Sequence, residues 1–399
     1  MCGNLAADSE SLELNEAAMS LPNRPLIVGA GPVGLGAALF LARQGLVTRV
    51  VELRDEPARE SKALAVNPRT LDILEPTGVT QRMLELGSPV RGVCFRRREQ
   101  IFGSLSLTGI HPKYPFMLGL SQAATERLLA DALCAVGGSV ERGVKLVECR
   151  VSIGQVEAVL ESAAADEREV VACPWLLAAD GAHSATRQQL GVSFEGSAFA
   201  SEWYLTDVPL RTELAADQVH IFFLDAGELL FMMPVVDPDL RSRIHDPVWR
   251  VISNRPEPLS RLIQAEQAGS PIWTSHFRIA HRIAGTLATQ NVYFAGDAAH
   301  VHSPVGARGM NLGLEDAWIF SELVRTNRLQ EYDGMRRRVD RRVVRQVEFL
   351  SRVASPESWF FRLMRSYVFP TAIKIPFLHS RMLATVAGLD HKLPVFNGH

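Results

Sequence analysis

The sequence predicts an α/β protein in which a βαβ-built domain, assembled from separate stretches of chain, is interleaved with a β-sheet domain and followed by C-terminal helices. Three observations predict it. Near the N-terminus a short apolar run, a Gly-x-Gly-x-x-Gly turn, a helical stretch and a second apolar run follow one another within about 30 residues, the size of a βαβ unit. Two later apolar runs, at 170–177 and 291–294, lead into an Asp-Gly and a Gly-Asp pair, as strands do when they deliver turns to the carboxyl edge of a sheet. Between those runs, residues 203–283 are rich in β-branched and aromatic residues with partial alternation, which suits strands better than helices.

At 399 residues the chain has room for two or three units of roughly 150 residues. Hydrophobic residues make up 47% and charged residues 22%, enough apolar surface to offset chain entropy and exclude global disorder. The 42 basic and 44 acidic residues leave a net charge of −2, which argues against a general nucleic-acid partner. Five scattered cysteines without CxxC spacing fit neither a disulfide framework nor a zinc site, no metal is expected, and a reducing cytoplasm is the simplest location. No apolar run reaches the ~18 residues that a membrane-spanning helix needs.

In order along the chain, 1–22 reads as an acidic, loosely ordered leader, and Met19 leaves open whether translation starts there. Leu26–Val28 is the first strand, Leu35–Gln44 a helix closed by Gly45, and 47–53 a second strand. A helical stretch from Pro68 to Leu86 breaks at Pro76 and Gly78. Strands are expected within 92–118, a helix over 125–136, and strands at 151–160 and 170–177 around an acidic turn at 161–169. Candidate strands follow at 203–210, 220–224, 229–233, 272–279 and 291–294, then a helix over 309–325 and an Arg-rich helical segment beyond 330. This places the βαβ-built domain at 23–91, 119–194 and 284–330, the β-rich domain at 92–118 and 195–283, and a C-terminal helical segment at 331–399.

The turn Gly29-Ala30-Gly31-Pro32-Val33-Gly34 has a mechanical reading. Gly29 permits the tight turn, Gly31 lets a pyrophosphate approach the backbone, and Gly34 allows close helix–strand packing. The helix N-terminus beyond it offers free N–H groups and a positive dipole end. Glu52, followed by Leu53, ends the second strand, where an acid accepts from ribose hydroxyls and repels a 2′-phosphate. That chemistry suits FAD or NAD.

The second motif runs from Leu176 through Asp180-Gly181 to Ser184 and Arg187. The third runs from Val292 through Gly296-Asp297 and His300 to Pro304, Gly306, Gly309, Met310 and Asn311. Together with the first, over residues 25–325, they closely resemble the group A flavoprotein monooxygenases, the family of para-hydroxybenzoate hydroxylase. The resemblance implies a Rossmann-like FAD-binding domain in which Gly29, Gly31, Gly34 and Glu52 hold the ADP half. It implies that Asp180 and Arg187 belong to a motif touching FAD and NAD(P)H, that Asp297 holds the ribityl chain, and that Gln122 touches the flavin. It also implies the reaction: NADPH or NADH reduces FAD, O2 adds to give a flavin C4a-hydroperoxide, and a small aromatic or polycyclic substrate is hydroxylated. The backbone at Met310-Asn311 would then face the negative charge of the reduced ring.

Two departures stand out. The family often has Gly-Gly-Gln-Gly in the third turn, where this chain has Gly306-Ala307-Arg308-Gly309; Arg308 either adds charge near the flavin or substrate, or lies at the surface beside Glu315. Where relatives carry an arginine after the second strand, this chain offers Lys62, either a flavin or phosphate contact or an ordinary exposed lysine. The substrate is expected against the β-rich segment, with His220, Phe222, Phe231 and Met233 as candidates. His245, His276 and His281 are further imidazoles, none singled out as a base. The Arg336–Arg345 cluster and the aromatics at 359–377 read either as a basic membrane or carrier surface or as a helix packed on the FAD domain. An FAD-dependent reductase or epoxidase, and a non-catalytic flavin-binding protein, remain alternatives, and the oligomeric state, a homodimer included, stays open.

Overall fold

The computed structural model describes residues 24–58, 62–163, 167–224, 227–304, 306–354 and 375–396; the leader and most of the aromatic stretch at 359–377 lie outside them. A six-stranded sheet has the order 288–289, 292–294, 176–178, 26–28, 49–52, 140–142. All neighbours are parallel except the first pair. Leu26–Val28 is central, pairing Leu26 with Leu176 on one side and Arg49 on the other. Its residues and those of Leu176–Ala178 and Val292–Phe294 are all buried, as expected of parallel strands covered on both faces.

Five helices of twelve residues or more occur among the described residues: α1 (Pro32–Arg43), α2 (Gln122–Ala135), α3 (Gly309–Arg325), α4 (Tyr332–Ala354) and α5 (Pro376–Ala387). The first begins three residues earlier than the sequence suggested, because Pro32 takes the first helical position, where its missing N–H costs nothing. Similarly α2 starts at Gln122, its N-cap Ser121 accepting from the Ala124 amide at 3.1 Å. The expected 309–325 helix is α3. Packing of α1 on α3 is close enough that a Cβ on Gly36 would lie 2.7 Å from Leu314 Cδ2.

The second large sheet has the strand order 300–301, 273–284, 194–212, 248–253, 229–234, 218–223, 92–97, 100–106. Strand Val248–Ser253, buried at every position, escaped the sequence reading because it does not alternate and carries an arginine. Two readings are corrected. The expected strand 151–160 is a hairpin, Val144–Ser152 and Gln155–Ser162, turning at Gly154 with φ +80°. The expected strand 170–177 is two strands in different sheets, Glu167–Cys173 and Leu176–Ala178, parted where Pro174 withdraws a backbone donor. Met117–Gly119, at the end of the 92–118 stretch, pairs with Ala65–Val66 and Ser88–Val90 rather than with the large sheet.

The C-terminal helices pack onto this body. Val343 and Val347 of α4 cluster with Leu312 of α3, while Arg338, Arg342 and Arg345 are exposed. Arg336 is buried, Arg337 lies 3.6 Å from Asp333, and Arg341 lies 3.7 Å from Glu195. This is the packed arrangement of the two that the sequence left open.

Candidate functional site

Three central strands of the parallel sheet end side by side, and each delivers one motif to the same carboxyl edge: Gly29 after Val28, Asp180 after Ala178, Gly296 and Asp297 after Phe294. Gly29 has φ +100° and donates its amide to Val51 O at 2.8 Å. A Cβ on Gly34 would lie 1.9 Å from the Gly29 carbonyl oxygen, whereas one on Gly31 would meet nothing within 4 Å. Gly34 is therefore fixed by packing, and Gly31 leaves an open approach to the N-terminus of α1. Glu52 accepts from the Ala30 amide at 2.7 Å and from the Arg54 amide at 3.0 Å, so its carboxylate stands over the turn; Leu53 is largely exposed.

Asp180 accepts from the amide and hydroxyl of Thr186 at 3.1 and 2.9 Å through one oxygen, and its other oxygen is buried without a hydrogen-bond partner. An orphaned buried acceptor has desolvation against it until a donor arrives, which fits a ligand hydroxyl or amide. Gly181 takes φ +81° in the same turn. Arg187 is placed differently from the expected ligand contact. It is buried, donates to Ala182 O and Ala298 O at 2.8 Å each, and lies 3.8 Å above the Phe194 ring, so it straps the Asp-Gly turn to the Gly-Asp turn.

Gly296 has φ +57°, and a Cβ there would meet Val33 Cγ2 at 2.7 Å. Asp297 next to it is exposed. Partial desolvation by the protein packed around it holds its carboxyl above the usual carboxylate range, against the pull of His300 and Lys62. Lys62 is exposed at its side chain, but its carbonyl accepts from Arg250 at 2.8 Å. Arg250 is itself buried in a two-bond pair with Asp207, both at 2.7 Å. The β-sheet domain thus holds the Lys62 loop toward Asp297. Gln122 joins the same loop, its amide donating to Ala63 O at 2.9 Å and its side-chain oxygen accepting from Ala63 N at 3.3 Å.

The third turn continues through exposed Pro304 and half-buried Gly306, with φ +84°, to Gly309 at the start of α3. Met310 and Asn311 are buried in the first turn of that helix. Asn311 accepts from Asn67 N at 2.9 Å and donates to Ala65 O at 3.0 Å and Ala307 O at 2.7 Å, knitting turn and strand together. His302 is kept neutral at this turn, its pKa pushed down to about 3 by burial. Arg308 corrects the surface alternative. It does not lie at the surface beside Glu315 but is buried, reaching Thr385 O at 2.8 Å and Asp390 at 3.1 Å.

Sequence reasoning missed what braces the Gly-Asp turn. Asp316 accepts from the Gly296 amide at 3.0 Å, with His300 Nε2 at 2.7 Å from the same oxygen. Arg336 spans Glu315, Asp316 and Asp340 at 2.5, 2.6 and 2.9 Å. His300, Asp316 and Asp340 have the donor types of a metal site, but the arginine already supplies their positive charge. A signal was available, since Arg336 shares the helical spacing of Val339, Val343 and Val347 and so falls on an apolar stripe.

Of the substrate candidates, His220 and Phe222 are corrected. They face away from the motifs: His220 is fully buried 2.9 Å from Ala215 O, and Phe222 packs with Val208, Leu230 and Trp249. Side chains alternate along a strand, so the opposite face carries Val219, Ile221 and Phe223. Ile221 and Phe223 pack in one layer with Phe95, Phe102 and Ala307 of the third turn. Phe231 and Met233 lie on that opposite face, against Leu64 beside the Lys62 loop. His245 and His276 are exposed, and burial lowers His281 to about 4. Two surface depressions, one lined by Val147, Cys149 and Gln189 and one by Arg98, Leu224 and Ile263, share no lining residue with these motifs.

A family model described as "FAD binding domain" matches residues 24–347. The chain is 35% identical over 321 residues to 6-methylpretetramide 4-monooxygenase of Streptomyces rimosus, covering 77% of this chain and 57% of that protein. It is 29% identical over 315 residues to pentachlorophenol 4-monooxygenase of Sphingobium chlorophenolicum, covering 76% and 58%. This chain thus spans somewhat more than half the length of the curated relatives it matches. The fold is also that of p-nitrophenol 4-monooxygenase of Pseudomonas putida, with a TM-score of 0.79 at 19% identity, covering 94% of this chain and 99% of that one.

Proposed function

Because this chain belongs to the FAD-binding domain family, in the group of the para-hydroxybenzoate hydroxylase-like flavoproteins, we propose that it is an FAD-dependent monooxygenase that uses NAD(P)H and O2 to hydroxylate an aromatic or polycyclic small molecule. The observation that carries the reading is the meeting of three motif turns at one sheet edge, with an unpartnered Asp180 oxygen among them. The relatives' names point to phenols and polycyclic polyketides as the substrate class.

In this reading 23–91, 119–194 and 284–330 form the FAD domain and 92–118 and 195–283 the substrate domain. Gly29, Gly31, Pro32, Gly34 and Glu52 hold the ADP half; Asp180 and Asp297 accept from hydroxyl groups of the cofactor; Gln122 and Lys62 line its ring end. Bound there, FAD supplies the redox and oxygen chemistry, which the protein itself cannot. The chain positions and protects: amides opening α3 present positive dipole ends to negative charge on an adjacent ring. The apolar layer of Ile221, Phe223, Phe231 and Met233 orients a flat substrate and keeps water away. No helix among the described residues is long and apolar enough to cross a membrane. The free thiols at Cys94, Cys134, Cys149 and Cys173 support a reducing compartment such as the cytoplasm.

The test is NAD(P)H consumption by FAD-loaded protein with a panel of phenols and polyketide aromatics, products being weighed for one added oxygen. Substrate-stimulated consumption with an oxygenated product supports the reading. Reduction of a substrate with no oxygen gained would favour a reductase, and stoichiometric FAD without any turnover a flavin-binding protein. Asp297→Ala should lose bound FAD, read from the flavin-to-protein absorbance ratio.

A further inference from the structure

The last described segment of the chain is held at the third turn by charge. Arg308 sits between Ala307, a non-glycine residue at φ +51°, and Gly309, which opens α3. Its guanidinium donates to the Thr385 carbonyl at 2.8 Å, in the last turn of α5, and lies 3.1 Å from Asp390 just beyond that helix. Both members of the pair are at most a few per cent exposed.

The segment after α5 is gripped from two further directions. Arg69 donates to Gly388 O at 3.0 Å and to His391 O, and His391 Nε2 lies 2.7 Å from Glu315 on α3. Gly388 ends the helix at φ +77°, and a Cβ there would lie 2.6 Å from Asn67 Nδ2 and 3.2 Å from Arg308 Nη1. The approach is too close for any side chain. Through these bonds α5 is laid with Met382, Leu383 and Val386 in the same apolar layer as Ala307, Phe95, Phe102 and Phe223. That layer is the one assigned above to the substrate.

We infer that Arg308 and Asp390 form a latch that sets α5 as a wall of the substrate layer and fixes the 306–309 turn against it. Both are positioning residues, acting on substrate through α5 and on the flavin ring through the turn. The departure of this chain from Gly-Gly-Gln-Gly then has a partner within the same chain: an arginine in the turn requires an acid where the C-terminal segment folds back. A buried arginine without its carboxylate is strongly disfavoured, so removing either partner opens the contact rather than leaving it idle.

The inference rests on the proposed function, and the experiment separates the two. Arg308→Gln, Asp390→Asn and the double variant are compared with the parent, all FAD-loaded. Amide hydrogen exchange over 376–391 and over 303–312, which needs no turnover, should rise at least about tenfold in each single variant in both segments. KM for an active aromatic and the fraction of NAD(P)H diverted to peroxide should rise several-fold while FAD stoichiometry holds. In the double variant, exchange and KM should be no worse than about twofold beyond the worse single variant, as expected for two halves of one contact. Exchange confined to one of the two segments, additive effects, or unchanged KM and peroxide would each overturn the latch. If the parent hydroxylates nothing, the proposed activity falls, and the exchange result still decides whether the turn and α5 are coupled.

Discussion

Arg336 donates to Asp316 at 2.6 Å, and the other oxygen of that carboxylate holds the Gly296 amide at 3.0 Å. A residue on α4 therefore braces, through one carboxylate, the turn that presents Asp297. The bridge is wholly buried, and α4 lies in the segment whose role the sequence left undecided. Arg336→Met would leave Glu315, Asp316 and Asp340 without their shared cation. The expected loss is about 3–5 kcal/mol of folding stability, measured by urea unfolding, accompanied by a lower flavin content.

Gly31 and Gly34 of the first turn should separate by experiment. Gly31→Ala places its methyl in open space, so the unfolding free energy should move by less than about 0.5 kcal/mol. The same methyl stands where a pyrophosphate would approach, so the FAD dissociation constant should rise about tenfold or more, near 1.4 kcal/mol. Gly34→Ala drives its methyl into the Gly29 carbonyl and should cost roughly 3 kcal/mol in the protein stripped of flavin. Equal effects on stability would refute the division between a ligand role and a packing role.

His300 supplies a pH dependence. Burial alone would lower its pKa, but Asp316 and Asp340 overcome that and raise it from 6.5 to about 9. A histidine raised in the folded state contributes its full stabilisation below 6.5 and loses it as pH rises through 9. Stability should therefore fall between these values by up to about 3 kcal/mol. His300→Gln should flatten that part of the profile, as followed by urea unfolding across the pH series.

The two faces of strand Gln218–Phe223 should respond oppositely. Phe222→Ala removes a fully buried ring from the far-side core and should cost about 3–5 kcal/mol with KM unchanged. Ile221→Ala, on the face shared with Ala307, should cost less stability and raise KM for the aromatic substrate roughly tenfold. A KM effect from Phe222 alone would reverse the assignment of faces.

Arg187 separates strapping from binding. Arg187→Lys keeps the charge but cannot reach Ala182 O and Ala298 O with a planar fork, so stability and FAD affinity should fall together. A ligand-contact role would lower affinity while leaving the flavin-free protein as stable as before.

By itself the sequence determined the three motif turns, the parallel strands that carry them and the start of α3. Each is signalled by a local pattern within about 30 residues: a buried run, a glycine turn, a helix N-terminus. The family followed from the order of those motifs. What only the tertiary structure decided depends on pairs far apart in the chain. Which face of the 218–223 strand meets the third turn is a matter of register, and a shift of one residue exchanges His220 and Phe222 for Ile221 and Phe223. The partner of a buried charge is likewise set by folding alone. Arg308 finds Asp390, Arg336 finds Asp316 and Arg250 finds Asp207, at separations no local pattern encodes. In each pair the low-dielectric interior makes an unmatched ion too costly to leave, so the fold brings its counter-ion to it.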